Sequence, residues 1–168
     1  MTEAVAQLKK GIDLLPKTAD ELARLEQELN LQVTLGHALL AAKGFSSSEL
    51  EKTHARARQL CQQLNLPEQV GPVLTGLCLF HLVRGEFDQA ERHAEEIRHF
   101  GEVRRDVMWD CLGLMASGSV CCYVGKFTNA RAYHENALSK LDPSYRALWP
   151  TPEDPYVVVL SHLSRTLL

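Results

Sequence analysis

The sequence predicts an all-α fold built from stacked antiparallel helical hairpins. Two observations support this prediction: apolar residues recur at helical spacing over long runs, and the pattern repeats about every 40 residues along the 168-residue chain. Few windows show the period-two alternation that a half-buried strand requires. We expect about three repeats, which stack because hairpin units of this kind bury their apolar sides against their neighbours.

The second helix of the unit is clearest in the stretch GKFTNARAYHENALSKLDP, from Gly125 to Pro143. Its Ala130, His134 and Ala137 lie on one helical stripe, and the proline stops the helix. The same positions hold Ala90, Ala94 and Ile97 forty residues earlier, and Leu50, His54 and Ala57 forty residues before those. The three copies predict three second helices that pack through one shared stripe.

The first helix of each unit precedes this pattern, at residues 20–43, 67–84 and 104–124. These segments are apolar nearly all round, which on a helix indicates contacts with neighbours on several sides. Small residues recur in them at equivalent positions of the repeat, namely Ala38, Cys78 and Gly118. We expect a second helix to approach closely at these points.

The predicted organisation is a single repeat domain over residues 1–168. Its parts are a half repeat at 1–16, hairpins at 20–64, 67–101 and 104–143, and a half repeat at 152–168. The first half repeat has the spacing of a second helix, through Ala4, Leu8, Gly11 and Pro16. The last has the pattern of a first helix without a second helix to cover Val157, Val158, Leu160, Leu163 and Leu167. The hypothesis is a segment of a longer array that forms a homodimer through an exposed terminal helix.

The stretch that begins at Gly125 resembles the second helix of a tetratricopeptide repeat. It has a glycine, an aromatic residue, Ala130, His134, Ala137 and Pro143 at the family spacing. The first helices follow the family pattern less closely, and the period is about 40 residues rather than the family's 34. The resemblance implies a right-handed superhelix of antiparallel helical hairpins.

A narrower resemblance covers most of the chain, including ELNLQVTLGHALLAAKGF, PVLTGLCLFHLVRGEFDQAERHAEEI and DPYVVVLSHLSRTLL. These segments are similar to the C-terminal helical-repeat region of large bacterial signalling proteins. In those proteins a class III adenylate or guanylate cyclase, or another effector domain, precedes a predicted AAA-type ATPase. The resemblance implies a non-catalytic interaction or regulatory arm. The sequence contains no GxxxxGK[ST] phosphate loop, so we do not expect this chain to bind ATP by such a loop.

Composition and charge narrow the range of partners. The net charge of -3 gives no basic excess to neutralise phosphates, so no nucleic-acid partner is expected. The longest near-apolar run, Val73 to Val83, is far short of the roughly 20 residues that cross a bilayer, and the N-terminus lacks the apolar core of a signal peptide. Five cysteines without a CxxC pair fit a reducing cytoplasm, with the thiols expected inside the helical core.

Metal or catalytic chemistry has weak support in the sequence. Two ExxH pairs, Glu51 with His54 and Glu96 with His99, have the spacing used in di-iron helical bundles. The repeat register, however, places His54 on the packing stripe and His99 on a face that is expected to be solvated. We therefore expect no metal, no cofactor and no enzymatic activity, and a metal-binding helical enzyme is the weaker alternative.

In tetratricopeptide arrays the first helices line the concave surface, and the resemblance carries this groove over to ten residues here. They are Gln32, Leu35, Leu39, Lys43, Thr75, Leu79, Val83, Met115, Ser119 and Tyr123. The competing interpretation is that so apolar a set belongs partly to the core. The expected partner is a protein or peptide, and a small ligand held near His81 and Tyr123 is the alternative.

Overall fold

The computed structural model of the chain describes residues 2–15, 20–147, 149 and 154–166. In those residues the chain forms eight α-helices and no strand, which confirms the predicted all-α class. The helices are α1 (Thr2–Leu14), α2 (Glu21–Lys43), α3 (Ser48–Gln63), α4 (Val70–Val83), α5 (Phe87–Arg104), α6 (Val107–Tyr123), α7 (Phe127–Lys140) and α8 (Pro155–Thr166). Short 3₁₀ turns lie at Pro67–Gln69 and Pro143–Ala147.

The helices form two compact units, which are described separately. Unit 1 is Met1–Arg84 and contains α1 to α4, and unit 2 is Gly85–Leu168 and contains α5 to α8. Within each unit every helix packs against the next one along the chain, and in unit 2 α6 also contacts α8. The packing of consecutive helices therefore agrees with the prediction. None of the helices in the described part of the chain is long and apolar enough to cross a membrane.

Aspartates begin three of the predicted first helices. The carboxylate of Asp20 accepts hydrogen bonds from the first backbone N–H groups of α2, and Asp106 does the same for α6. Asp154 caps α8 with bonds from Tyr156 (2.9 Å) and Val157 (3.3 Å). These caps satisfy backbone donors that have no partner inside the helix, which explains why each helix begins where it does.

The turns between helices repeat their backbone geometry at the predicted spacing. Gly44, Gly85 and Gly125 follow first helices and have φ of 77°, 75° and 77°, a conformation that favours glycine. Asn65 and Arg105 follow second helices, lie 40 residues apart, and have φ of 53° and 54°. Both of the latter turns are closed by the same backbone bond, from the next residue's N–H to the carbonyl five residues back. Similar backbone conformations therefore recur at turns that lie about 40 residues apart.

Arg105 gives a direct test of this turn. Replacing Arg105 with glycine is expected to raise the free energy of unfolding by about 1 kcal/mol, because a side chain in the left-handed region is disfavoured and glycine is not. Arg104→Gly, one residue earlier in the last turn of α5, is the control and is expected to lower stability. Urea unfolding of both variants checks the prediction. Destabilisation by Arg105→Gly would contradict it.

Two apolar clusters hold unit 1 together. One joins α1, α2 and α3, and the other joins α2, α3 and α4. The buried members of the first are Val5, Leu35, Leu39 and Leu50, and those of the second are Leu29, Ala57, Leu60, Cys61, Val73 and Leu77. Between them Arg56 on α3 donates two hydrogen bonds to the Glu28 carboxylate on α2, at 2.6 and 2.8 Å. The α2–α3 hairpin is thus fixed by packing and by a paired charge.

The core of unit 2 is centred on α6, which lies against α5, α7 and α8. Trp109 packs edge to face on Phe100 at the α5–α6 contact, with ring centroids 4.8 Å apart. On the other side of α6 the buried residues are Cys111, Leu114, Met115, Ala137, Leu141 and Val159. The Tyr156 hydroxyl of α8 donates a hydrogen bond to the Leu141 carbonyl at 2.9 Å. These contacts attach α8 to α7.

Helices α5 and α6 approach so closely that their glycines have no room for a side chain. A Cβ on Gly101 would lie 2.4 Å from the backbone nitrogen of Asp110. A Cβ on Gly113 would lie 2.5 Å from the Cα of Arg98. The two contacts are reciprocal, because each helix offers a glycine to the backbone of the other. The α5–α6 hairpin therefore depends on glycine at both positions.

The residues of the predicted terminal half repeats differ in exposure. In α8, Val157 is 64% exposed and Leu160 is 53% exposed, as expected for a face with no covering helix. Val158 and Leu163 are instead partly buried against the α6–α7–α8 cluster. Pro16 and Leu167, which belong to the same predictions, lie outside the described residues. One face of α8 is thus packed and the other is open.

Candidate functional site

The histidine of the first packing stripe is held between two glycines in unit 1. His54 on α3 is only 9% exposed. A Cβ on Gly36 of α2 would come within 2.6 Å of its ring, and one on Gly76 of α4 within 1.8 Å. The imidazole therefore fills the space that two missing side chains leave. His54 is a packing residue here, as the repeat register predicts.

The equivalent histidine in unit 2, His134 on α7, is fully buried. Its ring occupies the place of a side chain on Gly118, where a Cβ would lie 2.7 Å away. The ring of His162 on α8 packs edge to face against it, with centroids 5.0 Å apart. His134 thus joins α6, α7 and α8 as His54 joins α2, α3 and α4.

The small residue that faces His54 is not the residue that a strict 40-residue register selects. That register pairs Gly118 with Ala38, but the structure places Gly36 against His54. The turn after α2 runs from Gly44 to Ser47 and is one residue longer than the turn between α6 and α7. The two hairpins therefore differ in their turns as well as in the residue that faces the histidine.

Burial keeps both histidines neutral. Desolvation, with a smaller effect of the neighbouring His37, lowers the pKa of His54 to about 4. Desolvation and then His162 lower the pKa of His134 to about 4, while the nearby Gly118 backbone acts weakly in the opposite direction. Neither ring nitrogen of His134 has a hydrogen-bond partner of good geometry among the described residues. These imidazoles are suited to packing and poorly suited to proton transfer at neutral pH.

The predicted groove residues of unit 1 fall into two groups. Leu35 and Leu39 are core residues that pack with α1 and α3, and Gln32 is 9% exposed. Lys43 and Val83 are exposed, and Thr75 and Leu79 are partly buried. The Thr75 hydroxyl donates to the Gly71 carbonyl of its own helix at 2.9 Å. The structure therefore leaves Lys43, Thr75, Leu79 and Val83 as the accessible members of this set.

The three predicted groove residues of unit 2 also differ in their exposure to solvent. Met115 is 5% exposed and packs with Ala137 and Val159. Ser119 is buried, with its hydroxyl 2.9 Å from the Met115 carbonyl and 3.4 Å from Nδ1 of His162. Tyr123 is 51% exposed at the end of α6. Only Tyr123 presents most of its side chain to a partner.

One accessible member, Lys43, lies at the edge of a cleft between α1 and the end of α2. The cleft has a volume of about 260 Å³ and is lined by Thr2, Val5, Ala6, Lys9, Ala42 and Lys43. Its surface is mainly apolar, and the two lysines are the charged residues among the described residues that line it. Such a cleft has the composition of a site for an apolar side chain next to an anionic group.

A single carboxylate lies between the two lysines. Glu49 on α3 accepts a hydrogen bond from Lys43 at 2.6 Å and also pairs with Lys9. Hydrogen bonds from Lys43 and then Lys9 hold the pKa of Glu49 below its usual range. The three groups together carry one net positive charge at the edge of the cleft. An incoming carboxylate meets two ammonium groups that are already positioned by Glu49.

Sequence reasoning identified Lys43 but missed the rest of this cleft. Lys9, Val5 and Ala6 belong to α1, which the repeat pattern marks as a second helix and therefore leaves out of the groove. The available signal was the i, i+4 spacing of Val5 and Lys9, which places them on one face of a helix. Nothing in the sequence indicated which face would meet the end of α2.

The residues considered for metal binding or catalysis lie in separate parts of the structure and differ in their exposure to solvent. His99 of the second ExxH pair is exposed, as are Gln59 and Ser139 at the equivalent repeat positions, whereas His54 is packed. Within the described ranges no three or more His, Cys, Asp or Glu side chains come together as metal ligands do. None of the five cysteines forms a disulfide; Cys122 is partly buried and the other four are buried. Burial raises the pKa of Cys78 to about 12 and that of Cys111 to about 11.

His81 and Tyr123, considered for a small ligand, lie in different units. His81 is buried and packs edge to face on Phe80, with centroids 5.1 Å apart. Comparisons of the chain with protein families, curated proteins and solved structures find no significant match. The functional inference therefore rests on the sequence of the chain and on its geometry.

Proposed function

We propose that the chain is a non-catalytic protein-interaction module with a tetratricopeptide-like arrangement of about three repeats. The family resemblance of the sequence supports a place in a larger bacterial signalling protein with a cyclase or ATPase domain, as its regulatory arm. Five cysteines without a disulfide support a reducing compartment such as the cytoplasm. Binding, rather than chemistry, is then the activity of this chain.

The observation that carries this proposal is the recurrence of one packing contact. A buried histidine of a second helix lies on glycine of its own first helix and reaches the following first helix, in unit 1 through His54 and in unit 2 through His134. The turns around these helices also repeat their conformation. Repeating units that each contact mainly their neighbours form extended surfaces, and such surfaces are typical of binding proteins.

The cleft edged by Lys9 and Lys43 is the part of the surface best suited to a peptide. Its apolar walls favour an aliphatic or aromatic side chain, and its net positive edge favours Asp, Glu or a chain-terminal carboxylate. We propose that the partner segment combines both features within a few residues. A purely basic or purely polar peptide has no complementary group in this cleft.

A peptide-display selection on the purified chain tests the proposal. The expected result is enrichment of peptides with an apolar residue next to an acidic one. The double variant Lys9→Gln with Lys43→Gln is expected to weaken the selected peptides at least about tenfold, because two charge-assisted hydrogen bonds are lost. Isothermal titration calorimetry measures this change.

The matched control is Lys52→Gln, which removes an exposed lysine of α3 outside the cleft lining. We expect it to leave peptide affinity within about twofold of the parent, since an isolated surface charge contributes little. Equal affinities of the double variant and the parent would exclude the cleft as the binding site. A selection that enriches no peptide would contradict the proposed function itself.

A further inference from the structure

Helix α8 presents an apolar stripe that nothing in the described part of unit 2 covers. Val157 and Leu160 are 64% and 53% exposed, and Ser161 and Ser164 continue the same face at helical spacing. The hydroxyls of both serines donate to carbonyls three residues back in the helix. Their hydrogen bonds are therefore already made, and this face can be buried without losing them.

The equivalent face of helix α6 is covered by a neighbouring helix, and this indicates what kind of helix fits the open face of α8. Two residues of α8, Tyr156 and Val159, contact the end of α7. The equivalent contact in the preceding pair of helices is made by Asp110 and Gly113 of α6 with the end of α5. Each of these α8 residues lies 46 positions after its counterpart in α6. The same offset matches the exposed stripe of α8 to Cys111, Leu114, Met115 and Gly118. These four residues of α6 are all buried, and they meet α7 through Ala137 and His134. The open face of α8 is thus the face to which a helix like α7 binds.

Helix α1 has the matching surface. Its Ala4 and Gly11 have the spacing that Ala130 and Ala137 have on α7, where both alanines are fully buried. On α1, by contrast, Ala4 is exposed and Gly11 is partly exposed. Leu14, on the same side, is 47% exposed. Small residues on α1 and bulky ones on α8 are complementary in shape, as they are between α7 and α6.

The charges at the helix ends are also complementary. The hairpin of α6 and α7 is antiparallel. If α8 of one copy packs on α1 of another copy in the same antiparallel way, the last turn of α8 meets the first turn of α1. Arg165 lies in the last turn of α8, and Glu3 lies in the first turn of α1. The opposite charges therefore come to the same end of the helix pair. This contact leaves the cleft open, because the cleft residues of α1 lie on the side opposite Ala4 and Gly11.

We propose that the chain self-associates head to tail, with α8 of one copy packed on α1 of the next to form an additional hairpin. The proposal rests on the repeat architecture proposed above and adds the partner, which is a second copy. The interface is heterologous, because α8 of one copy contacts α1 of the next. A pair of copies therefore keeps one free α1 and one free α8, and longer chains can grow. A single helix pair buries less than about 1,200 Å² in total, so we expect weak, concentration-dependent association.

Sedimentation of the full chain tests this arrangement. The weight-average mass is expected to rise steadily between roughly 10 μM and 1 mM, without a stop at the dimer, as weak heterologous contacts require. Leu160→Lys on α8 and Ala4→Arg on α1 are each expected to keep the protein monomeric over this range. Both positions are exposed, so the variants are expected to fold, and circular dichroism checks that they do.

Mixing the two variants gives the decisive measurement. The Leu160→Lys variant keeps an intact α1, and the Ala4→Arg variant keeps an intact α8. Their mixture is therefore expected to form a dimer containing one copy of each and nothing larger. A mixture that stays monomeric would overturn the proposal. Dimerisation of the Ala4→Arg variant by itself, which an α8-to-α8 contact predicts, would also overturn it.

The control is Val103→Lys, which changes an apolar residue of α5 that is 68% exposed and lies on neither face. We expect this variant to associate like the parent, and a loss of association would show that the contact is not specific to α8 and α1. A parent chain that remains monomeric at the highest concentration would also reject the proposal. Peptide binding by the Leu160→Lys variant is expected to be normal, which separates this test from that of the cleft.

Discussion

Lowering the pH from 7 to 5 is expected to reduce the free energy of unfolding by about 4 kcal/mol, with about 2 kcal/mol from each of His54 and His134. Both side chains are buried and have pKa values of about 4, compared with an ordinary value of 6.5. The loss is a large part of the 5–15 kcal/mol that is typical of folded proteins. Mild acid is therefore expected to unfold the chain or to bring it close to unfolding.

The direction of this pH effect on the free energy of unfolding follows from proton binding. Between pH 6.5 and about 4 the unfolded chain protonates these histidines and the folded chain does not, so falling pH favours the unfolded state. His37 faces His54, and His162 faces His134. The pKa of His162 is itself lowered, by burial and then by Arg165, so its effect has the same sign. Measuring above pH 5 avoids the additional effect of the Glu49 carboxylate, whose pKa is lowered from 4.5.

Urea titrations at several pH values, monitored by circular dichroism, measure the slope of the free energy of unfolding against pH. His134→Leu is expected to reduce the slope by about half, because leucine cannot bind a proton and is already present at the equivalent position of α1, Leu8. His99→Gln is the control, because it removes a histidine that is exposed rather than buried. A parent protein with equal stability at pH 7 and pH 5 would show that the buried histidines are protonated in the folded state.

Gly101→Ala is expected to destabilise the chain by about 3 kcal/mol. The added methyl group would lie 2.4 Å from the backbone nitrogen of Asp110, and a backbone atom cannot move away as a flexible side chain can. The two helices would have to separate, which would also disturb the packing of Trp109 on Phe100. The same reasoning applies to Gly113→Ala, which meets the Cα of Arg98.

The matched control is Gly11→Ala, the same substitution in α1. Its methyl group would lie 3.5 Å from the nearest atom of Leu31, an ordinary contact. Because alanine favours the helix over glycine, this variant is expected to be more stable by about 0.5–1 kcal/mol. Denaturation midpoints at low protein concentration compare the three glycine variants with the parent. Equal stabilities of Gly101→Ala and the parent would mean that the α5–α6 contact is looser than described.

Helical periodicity was sufficient to predict the fold class and the helix positions. The sequence placed the first helices at 20–43, 67–84 and 104–124, and the structure begins and ends them within about three residues of those limits. Hairpin register was less predictable, because it depends on turn length. The small residue that faces His54 is Gly36 rather than Ala38, and the turn after α2 is one residue longer than that after α6; no helical pattern contains that information.

The candidate site was harder to predict than the fold. Apolar groove positions such as Leu35 and Met115 have the same periodicity whether they bind a partner or pack inside, and the structure packs both. Lys43 was identified because the resemblance to tetratricopeptide repeats places its position on the groove-lining side of a first helix. Its partner Lys9 was not, because the meeting of α1 with the end of α2 is a tertiary contact. Pairs of this kind depend on how helices pack, which short sequence motifs do not encode.

The position of the aromatic pair Trp109 and Phe100 has a practical consequence for unfolding experiments. The chain has two tryptophans, Trp109 and Trp149, and both lie in unit 2. Tryptophan emission therefore reports on that unit alone, whereas circular dichroism reports on the helices of both. Coincident transitions by the two signals would show that the units unfold as one cooperative body, and separate transitions would give each unit its own measurable stability.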